Sequence, residues 1–284
     1  MKKFRIGGVP EHFNLPWRLA IEEGRLDHLD VDFHWSDMAG GTGQMVKGLQ
    51  AGSIDIAVLL TEGITKAILE GLDAKILAFY VDSPLRWGVH VPANSDISKT
   101  EDIEGKTYAI SREGSGSHLM AYVNAHQRGW DISSLKFNIV GDVYGGLWAL
   151  ESNEAQAFLW EKYTTQPFVD QGKCRRVGEV VTPWPCFAVA VSSKALQNKE
   201  VLQKVLQIVG ATAKEIKDGN KWSEIAWRYG LKPESAESWL SETEWNYTGE
   251  LAEGPFENAV DCLFDMSLIG KEQKESWEEK LFAR

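Results

Sequence analysis

Basic residues are in short supply: 30 Lys and Arg stand against 41 Asp and Glu in 284 residues, a formal net charge of −11. Nucleic-acid binding needs clustered Lys and Arg to displace counterions from phosphates, so that partner is not expected. Any anion taken by this chain is small and held locally. Cysteine is scarcer still. Cys174, Cys186 and Cys262 are odd in number and widely spaced, which indicates neither a disulfide framework nor a Cys-x-x-Cys metal knuckle. They read as buried or half-buried free thiols. Long apolar runs are missing: no window approaches the roughly 20 residues of a membrane helix, so direct membrane insertion is not expected. The basic start at residues 1–9 carries an apolar run too short and mixed for a secretion signal. As written, the chain is expected in the cytoplasm, or in the periplasm or at a membrane if a leader was removed. Catalytic signatures are thin too. Residues 114–118 lack the Lys-Ser/Thr of a phosphate loop and the third glycine of a dinucleotide fingerprint, and no Ser sits in a Gly-x-Ser-x-Gly elbow. No two of the six His stand at His-x-x-x-His spacing for a metal. No catalytic residue, metal or cofactor is nominated.

What is there is most informative at residues 105–130. Residues 106–111 alternate and carry β-formers, residues 114–117 supply small, permissive residues, and residues 119–127 are helix-compatible with Gly129 as their stop. A strand, a small-residue loop and a helix start leave unpaired N–H groups where the helix dipole favours a negative group. Ser115 and Ser117 can either cap that helix or help to bind a small anion there.

The length suits two lobes better than one compact domain. Residues 4–9, 29–35, 54–60 and 75–81 read as strands, and residues 15–23, 44–50 and 64–70 as the helices between them. Alternation at this rhythm implies parallel βαβ units and the α/β class. After Ser83-Pro84 a second set of strands follows at residues 88–91, 106–111, 136–140 and 156–160. Residues 187–191 return behind Thr182-Pro183-Trp184-Pro185, whose prolines make a rigid extended connection. Lobe 1 is thus expected at 1–86 plus 187–284 and lobe 2 at 87–186. From about residue 200 the pattern is helical, at 201–217, 222–229, 233–243 and 254–268, then a charged tail at 272–280. Trp222, Trp227, Trp239 and Trp277 on those helices read as core filler. Residues 49–60 also align without a gap with residues 150–161. Each stretch is a helix end, a Gly or Asn suited to a left-handed cap, and a strand.

Open α/β sheets bind ligands beyond the carboxyl ends of their strands. Those ends offer Glu11 and His12, Thr61 and Glu62, Ser83, then Ser115, Gly116, Ser117 and His118, and finally Tyr144, Trp160 and Glu161. They would line a cleft between the lobes. Glu11, Glu62 and Glu161 can converge on a cationic or amino-bearing group while 115–118 hold a negative one, or can simply be solvated. Trp87, Tyr144, Trp148, Trp160 and Trp184 suit either aromatic walls for a small ligand or interface packing.

Two segments carry a family resemblance. Residues 40–57, Gly-Gly-Thr-Gly-Gln-Met-Val-Lys-Gly-Leu-Gln-Ala-Gly-Ser-Ile-Asp-Ile-Ala, resemble the loop, helix and Gly-x-x-Asp-x-Ala strand of type II periplasmic solute-binding proteins. Residues 102–110 with 114–118 resemble the second-lobe segment of the branch serving ABC importers of nitrate, sulfonate, taurine and thiamine precursors. The likeness covers roughly residues 4–192. It implies an α/β, two-lobed fold with a cleft between lobes, hinge crossings near 84–90 and 185–190, and a helical C-terminus. It also adds Thr42 to the ligand-binding set. The function it implies is closure on a small organic anion or zwitterion, a sulfonate, carboxylate or thiamine-precursor pyrimidine, with an ABC permease as partner. The alternatives are a cytoplasmic enzyme on the same fold, of thiamine-pyrimidine or menaquinone-pathway type, with Glu11, Glu62 or Glu161 and His12 or His118 as proton carriers, and a ligand sensor. The Cys-Cys-Cys-Phe-Cys segment of the fungal-type pyrimidine synthase is missing. Oligomeric state is not legible.

Overall fold

The computed structural model describes residues 2–283. In chain order it comprises β1 (Lys2–Gly8), α1 (Leu15–Glu22), β2 (Val31–Asp37), α2 (Gly41–Gln50), β3 (Ile56–Leu60), α3 (Thr61–Leu69) and the long β4 (Ala74–Pro92). There follow β5 (Thr107–Ile110), α4 (Gly116–Arg128), β6 (Lys136–Ile139), α5 (Val143–Glu151), β7 (Ala157–Glu161), α6 (Gln166–Asp170) and a second long strand, β8 (Cys174–Ser192). The remainder is helical: α7 (Ser193–Leu196), α8 (Lys199–Asp218), α9 (Trp222–Tyr229), α10 (Pro233–Glu242), α11 (Pro255–Asp265), α12 (Lys271–Glu275) and α13 (Trp277–Leu281). None of the helices among the described residues is long and apolar enough to cross a membrane.

The chain divides into two compact units, Met1–Ser83 with Pro183–Arg284, and Pro84–Thr182. β4 and β8 each run through a boundary, so the covalent chain passes between units twice. In the first unit the strand order is β2-β1-β3-β8. β1 lies parallel to β2 and β3, and the returning half of β8 pairs antiparallel with β3, Leu60 opposite Phe187 and Ile56 opposite Val191. β3 is buried on both faces, which is why it reads as a continuous apolar run rather than an alternating one. In the second unit the order is β4-β7-β5-β6, with β7 antiparallel to β4 and parallel to β5, and β5 parallel to β6.

The aligned stretches at 49–60 and 150–161 occupy equivalent turns. Each runs from a helix end (α2, α5) through one left-handed residue, Gly52 at φ 64° and Asn153 at φ 58°, into a strand (β3, β7). In the second unit α5 lies so close on β7 that a Cβ at Gly146 would sit 2.4 Å from the Phe158 ring. Leu147, Leu150, Ala155 and Phe158 form the core there.

Two expectations need correction. The charged stretch at 272–280 is no tail: it folds as α12 and α13 and ends on Leu281 and Phe282, both buried, with Ile76 bridged to Phe282 and Lys75 Nζ donating to the carbonyls of Glu279 and Lys280. The apolar pair one residue beyond the charged stretch anchors it. Among the helical tryptophans Trp239 is core, but Trp227 is 81% exposed. The buried residue of α9 is Ile225, and two residues along a helix turns the side chain far from that face.

Candidate functional site

Parallel strands put their carboxyl ends on one edge of a sheet, and in each unit that edge carries most of the candidate residues. In the first unit that edge is made by the residues after β1 and β3. β3 runs directly into α3, and β8, antiparallel to it, reaches the same edge with Pro183 to Cys186. The start of α3 is tightly built. Thr42 Oγ1, in the first turn of α2, accepts from the Leu60 N–H at 3.3 Å, and the Thr61 hydroxyl donates to the Pro185 carbonyl at 2.6 Å. A Cβ at Gly63 would lie 2.4 Å from Thr42 Cγ2, so only glycine lets the two helix starts approach this closely.

Glu62 lies in this setting with 1% of its surface exposed. Its Oε2 accepts from the Trp184 indole N–H at 2.9 Å, while Oε1 has no hydrogen-bond partner among the described residues. Burial pushes the carboxyl up to about 7, offset in part by its own backbone N–H and by Trp184. Thr65, three residues on and on the same side of the helix, is also buried with its hydroxyl unpartnered. The structure therefore brings Thr42, Thr61 and Glu62 together.

The other first-unit candidates are placed differently. His12, 2% exposed, is packed among Phe13, Tyr229 and Trp239, with ring centroids 5.0, 5.9 and 4.3 Å away. Burial pushes it down to about 3 and keeps it neutral, so it is a core histidine rather than an exposed strand-end group. Glu11 precedes it in extended conformation. Ser83 is occupied with the segment before residue 245: its Oγ accepts from the Glu244 N–H, and its own N–H donates to the Glu244 carbonyl.

In the second unit the edge is formed by the ends of β5, β6 and β7. The loop after β5 is held by its own side chains. Ser115 is the N-cap of α4, its Oγ accepting from the His118 N–H at 3.3 Å. Ser117 Oγ accepts from the Ser111 N–H at 3.0 Å and lies 3.1 Å from Ser115 Oγ. His118 Nδ1 accepts from the Gly114 N–H at 2.9 Å, and its ring stands edge-on to Phe137, 4.5 Å away. Burial lowers its pKa, which suits an acceptor nitrogen. Ser115, Gly116, Ser117 and His118 are thus one unit of structure, and the serines cap and brace the loop. What stays on offer is the backbone: the N–H groups of Gly116 and Ser117 stand in the first turn, where no helical carbonyl precedes them.

The helix after β6 starts in another way. Asp142 caps α5 with a carboxylate, accepting from the Gly145 N–H at 2.9 Å, so that helix start already carries its negative charge. α4 begins with a neutral cap and has no acid in its first turn. Tyr144 and Trp148, one turn apart on α5, are 68% and 57% exposed. At the end of β7, Trp160 is half-buried against Phe158. The Glu161 carboxylate is turned inward: Oε1 accepts from Tyr163 N–H at 3.1 Å and Oε2 from Thr164 N–H at 2.6 Å, which shapes the turn into α6. Burial raises its pKa against those bonds.

Two groups escaped the sequence reading. Arg112, directly after the strand and before the small-residue loop, is half-buried, with its pKa lowered by burial. Its position next to the strand end was the available signal. Trp184 reads from sequence as an aromatic wall or interface residue, but its polar role toward Glu62, 122 positions away, has no local signature. Among the described residues no cluster of three His, Cys, Asp or Glu is poised for a metal ion.

This architecture is the periplasmic-binding-protein fold. Residues 87–180 match the family model described as Ca3427-like PBP. The conserved Candida albicans CA3427 gene product, which defines a protein family with the generic periplasmic binding protein fold, superposes with a TM-score of 0.89 at 23% identity over 100% of this chain and 98% of that one. The alkanesulfonate-binding protein SsuA of Xanthomonas axonopodis pv. citri, solved bound to MOPS, gives 0.78 at 17% identity over 95% of each chain. The periplasmic aliphatic sulphonate binding protein SsuA of Escherichia coli gives 0.77 at 17% identity over 99% and 98%. No curated protein matches the sequence.

Proposed function

We propose that this protein is a non-catalytic solute-binding protein that takes the acid group of a small organic anion or zwitterion at the start of α4. The observation that carries this reading is the contrast between the two helix starts of the second unit: α5 is closed by Asp142, whereas α4 has a neutral serine cap, no acid in its first turn and backbone N–H groups there. A sulfonate is the favoured acid, supported by the fold shared with SsuA, and a carboxylate can use the same donors. An ABC permease is the proposed partner, and the hinge in this reading is the pair of strand passages at 83–84 and 182–183.

The test is titration calorimetry with short alkyl sulfonates and carboxylates on the wild type and on Gly116→Glu. An acid at the first helical position suits the α4 dipole, so the variant keeps its melting temperature while repelling an anion. Affinity should fall by roughly a hundredfold, a loss of about 3 kcal/mol for placing like charges in contact. Unchanged affinity in a folded Gly116→Glu variant moves the acid site elsewhere. No binding of any such acid to the wild type defeats the reading.

A further inference from the structure

His118 fastens the loop before α4 with an acceptor that a proton can take away. Its Nδ1 accepts from the Gly114 N–H at 2.9 Å, while its own backbone N–H donates to the Ser115 cap. Gly114 stands at φ 69°, in the left-handed region, and the Ser115 N–H donates to the Arg112 carbonyl, so the imidazole ties down a tight turn. The ring is itself held in place. It stands edge-on to Phe137 of β6, at 4.5 Å, and to Tyr122, one turn along α4, at 5.1 Å. Burial is the larger influence on its pKa and lowers it, while the Glu113 carboxylate of the loop works the other way. Neutral imidazole has one acceptor nitrogen and imidazolium has none. Protonation therefore sets two donors, Nδ1–H and the Gly114 N–H, against each other.

We infer that His118 is a positioning residue that makes acid binding pH-dependent: neutral, it holds residues 114–117 so that the Gly116 and Ser117 N–H groups are presented, and protonated, it lets go of Gly114 and the acid is released. This rests on the solute-binding reading and adds regulation to the same site. His118 acts through the loop and needs no contact with the solute. The loop is fastened above the free-histidine value of about 6.5 and comes loose as the pH falls below it, because the fastened form needs the neutral ring. A proton also adds a positive charge that attracts an anion. That attraction is the weaker effect, since a half-buried charge is screened by water and salt, whereas a loosened loop has to be ordered again each time the acid binds.

The probe is ethanesulfonate, which stays ionised across the range, titrated calorimetrically at pH 8 and pH 4.5 and fixed ionic strength into the full chain as wild type, His118→Phe and His118→Asn. Protection of the Gly114 amide against hydrogen exchange is read in parallel without the probe. Wild-type affinity should fall roughly tenfold from pH 8 to pH 4.5, the effect of one hydrogen bond, and Gly114 protection should fall with it. His118→Phe keeps a ring against Phe137 and Tyr122 but has no acceptor, so it should bind roughly tenfold more weakly than the wild type at pH 8 and show no further drop. His118→Asn, whose Oδ1 stands where Nδ1 does and takes no charge, should rescue most of that loss and hold it at pH 4.5. Wild-type affinity that is level or rises as the pH falls overturns the inference while leaving the acid site standing. A decline that persists in His118→Asn also overturns it, as does Gly114 protection that ignores pH. If no sulfonate binds the wild type at either pH, the solute-binding reading fails and takes this inference with it.

Discussion

The starts of α3 and α4 follow strands in the same manner yet are finished in opposite ways. At α4 each polar side chain is spent on the loop itself: Ser115 caps, Ser117 accepts from Ser111, and His118 accepts from Gly114. Chemistry is left to backbone N–H groups, which are neutral donors in fixed positions. At α3 the threonines brace the turn in the same fashion, but Glu62 remains half-satisfied and buried. The α4 start carries no carboxyl and loses an acceptor only if His118 is protonated, whereas the α3 start holds a buried carboxyl that takes up its proton as the pH falls through about 7. That difference can be attacked by titration and by mutation.

The largest expected effect is on acid stability, through one buried histidine in each unit. His12 sits at about 3 and His90 at about 4, against 6.5 for a free histidine. The unfolded chain therefore binds protons first, and stability present above pH 6.5 is lost as the pH falls toward 3 to 4. At pH 4 each group accounts for about 3 kcal/mol. His12→Phe, in a setting already aromatic, should be spared about 3 kcal/mol of the loss between pH 7 and pH 4 in urea denaturation. An unchanged profile would mean that His12 is not the proton-sensitive core group described.

Glu62 works in the other direction. Its carboxyl sits at about 7 folded against 4.5 when free, so the unfolded chain gives up its proton first. Stability falls as pH rises from about 4.5 to about 7 and is level beyond. The loss is about 3 kcal/mol by pH 8. The groups facing it are Trp184 on β8 and Cys262 on α11, the latter with Asp261 and Asp265 near its thiol. Glu62→Gln should match the wild type at pH 5 and exceed it at pH 8 in chemical denaturation. No such gain toward alkaline pH is expected from any change at α4. Trp184→Phe, which strips the indole donor from Oε2, should cost about 2 kcal/mol at pH 8 and less at pH 5. A loss independent of pH would mean that packing, not the hydrogen bond, is what the indole supplies.

Much of the frame was legible because it rests on local patterns. The α/β alternation, the two left-handed cap positions at Gly52 and Asn153, and the capped start of α4 each follow from spacing and residue type within a dozen positions. The site was less legible because its decisive contacts are distant. Glu62 meets Trp184 across 122 positions, and His12 is enclosed by Tyr229 and Trp239, contributed by α9 and α10 from the far end of the chain. A carboxylate after a strand reads the same whether it faces a ligand or solvent, the two readings open for Glu161, or turns back onto its own turn, as Glu161 does. Sequence placed Glu62 and Glu161 at the ends of strands; tertiary packing decided which way each one points.

The smallest effects separate bracing from capping within the α4 start. Ser117→Ala leaves the buried Ser111 N–H without its acceptor, an arrangement worth about 1.5 kcal/mol, whereas Ser115→Ala removes only the cap, worth about 1 kcal/mol. The two serines touch at 3.1 Å, so their effects should not add: the double variant should lose less than the sum. If the losses are additive, the two hydroxyls are independent and the loop is not the single braced unit described. If sulfonate affinity then survives both substitutions, neither hydroxyl is needed at the proposed acid site, and the backbone N–H groups of the first turn are its remaining donors.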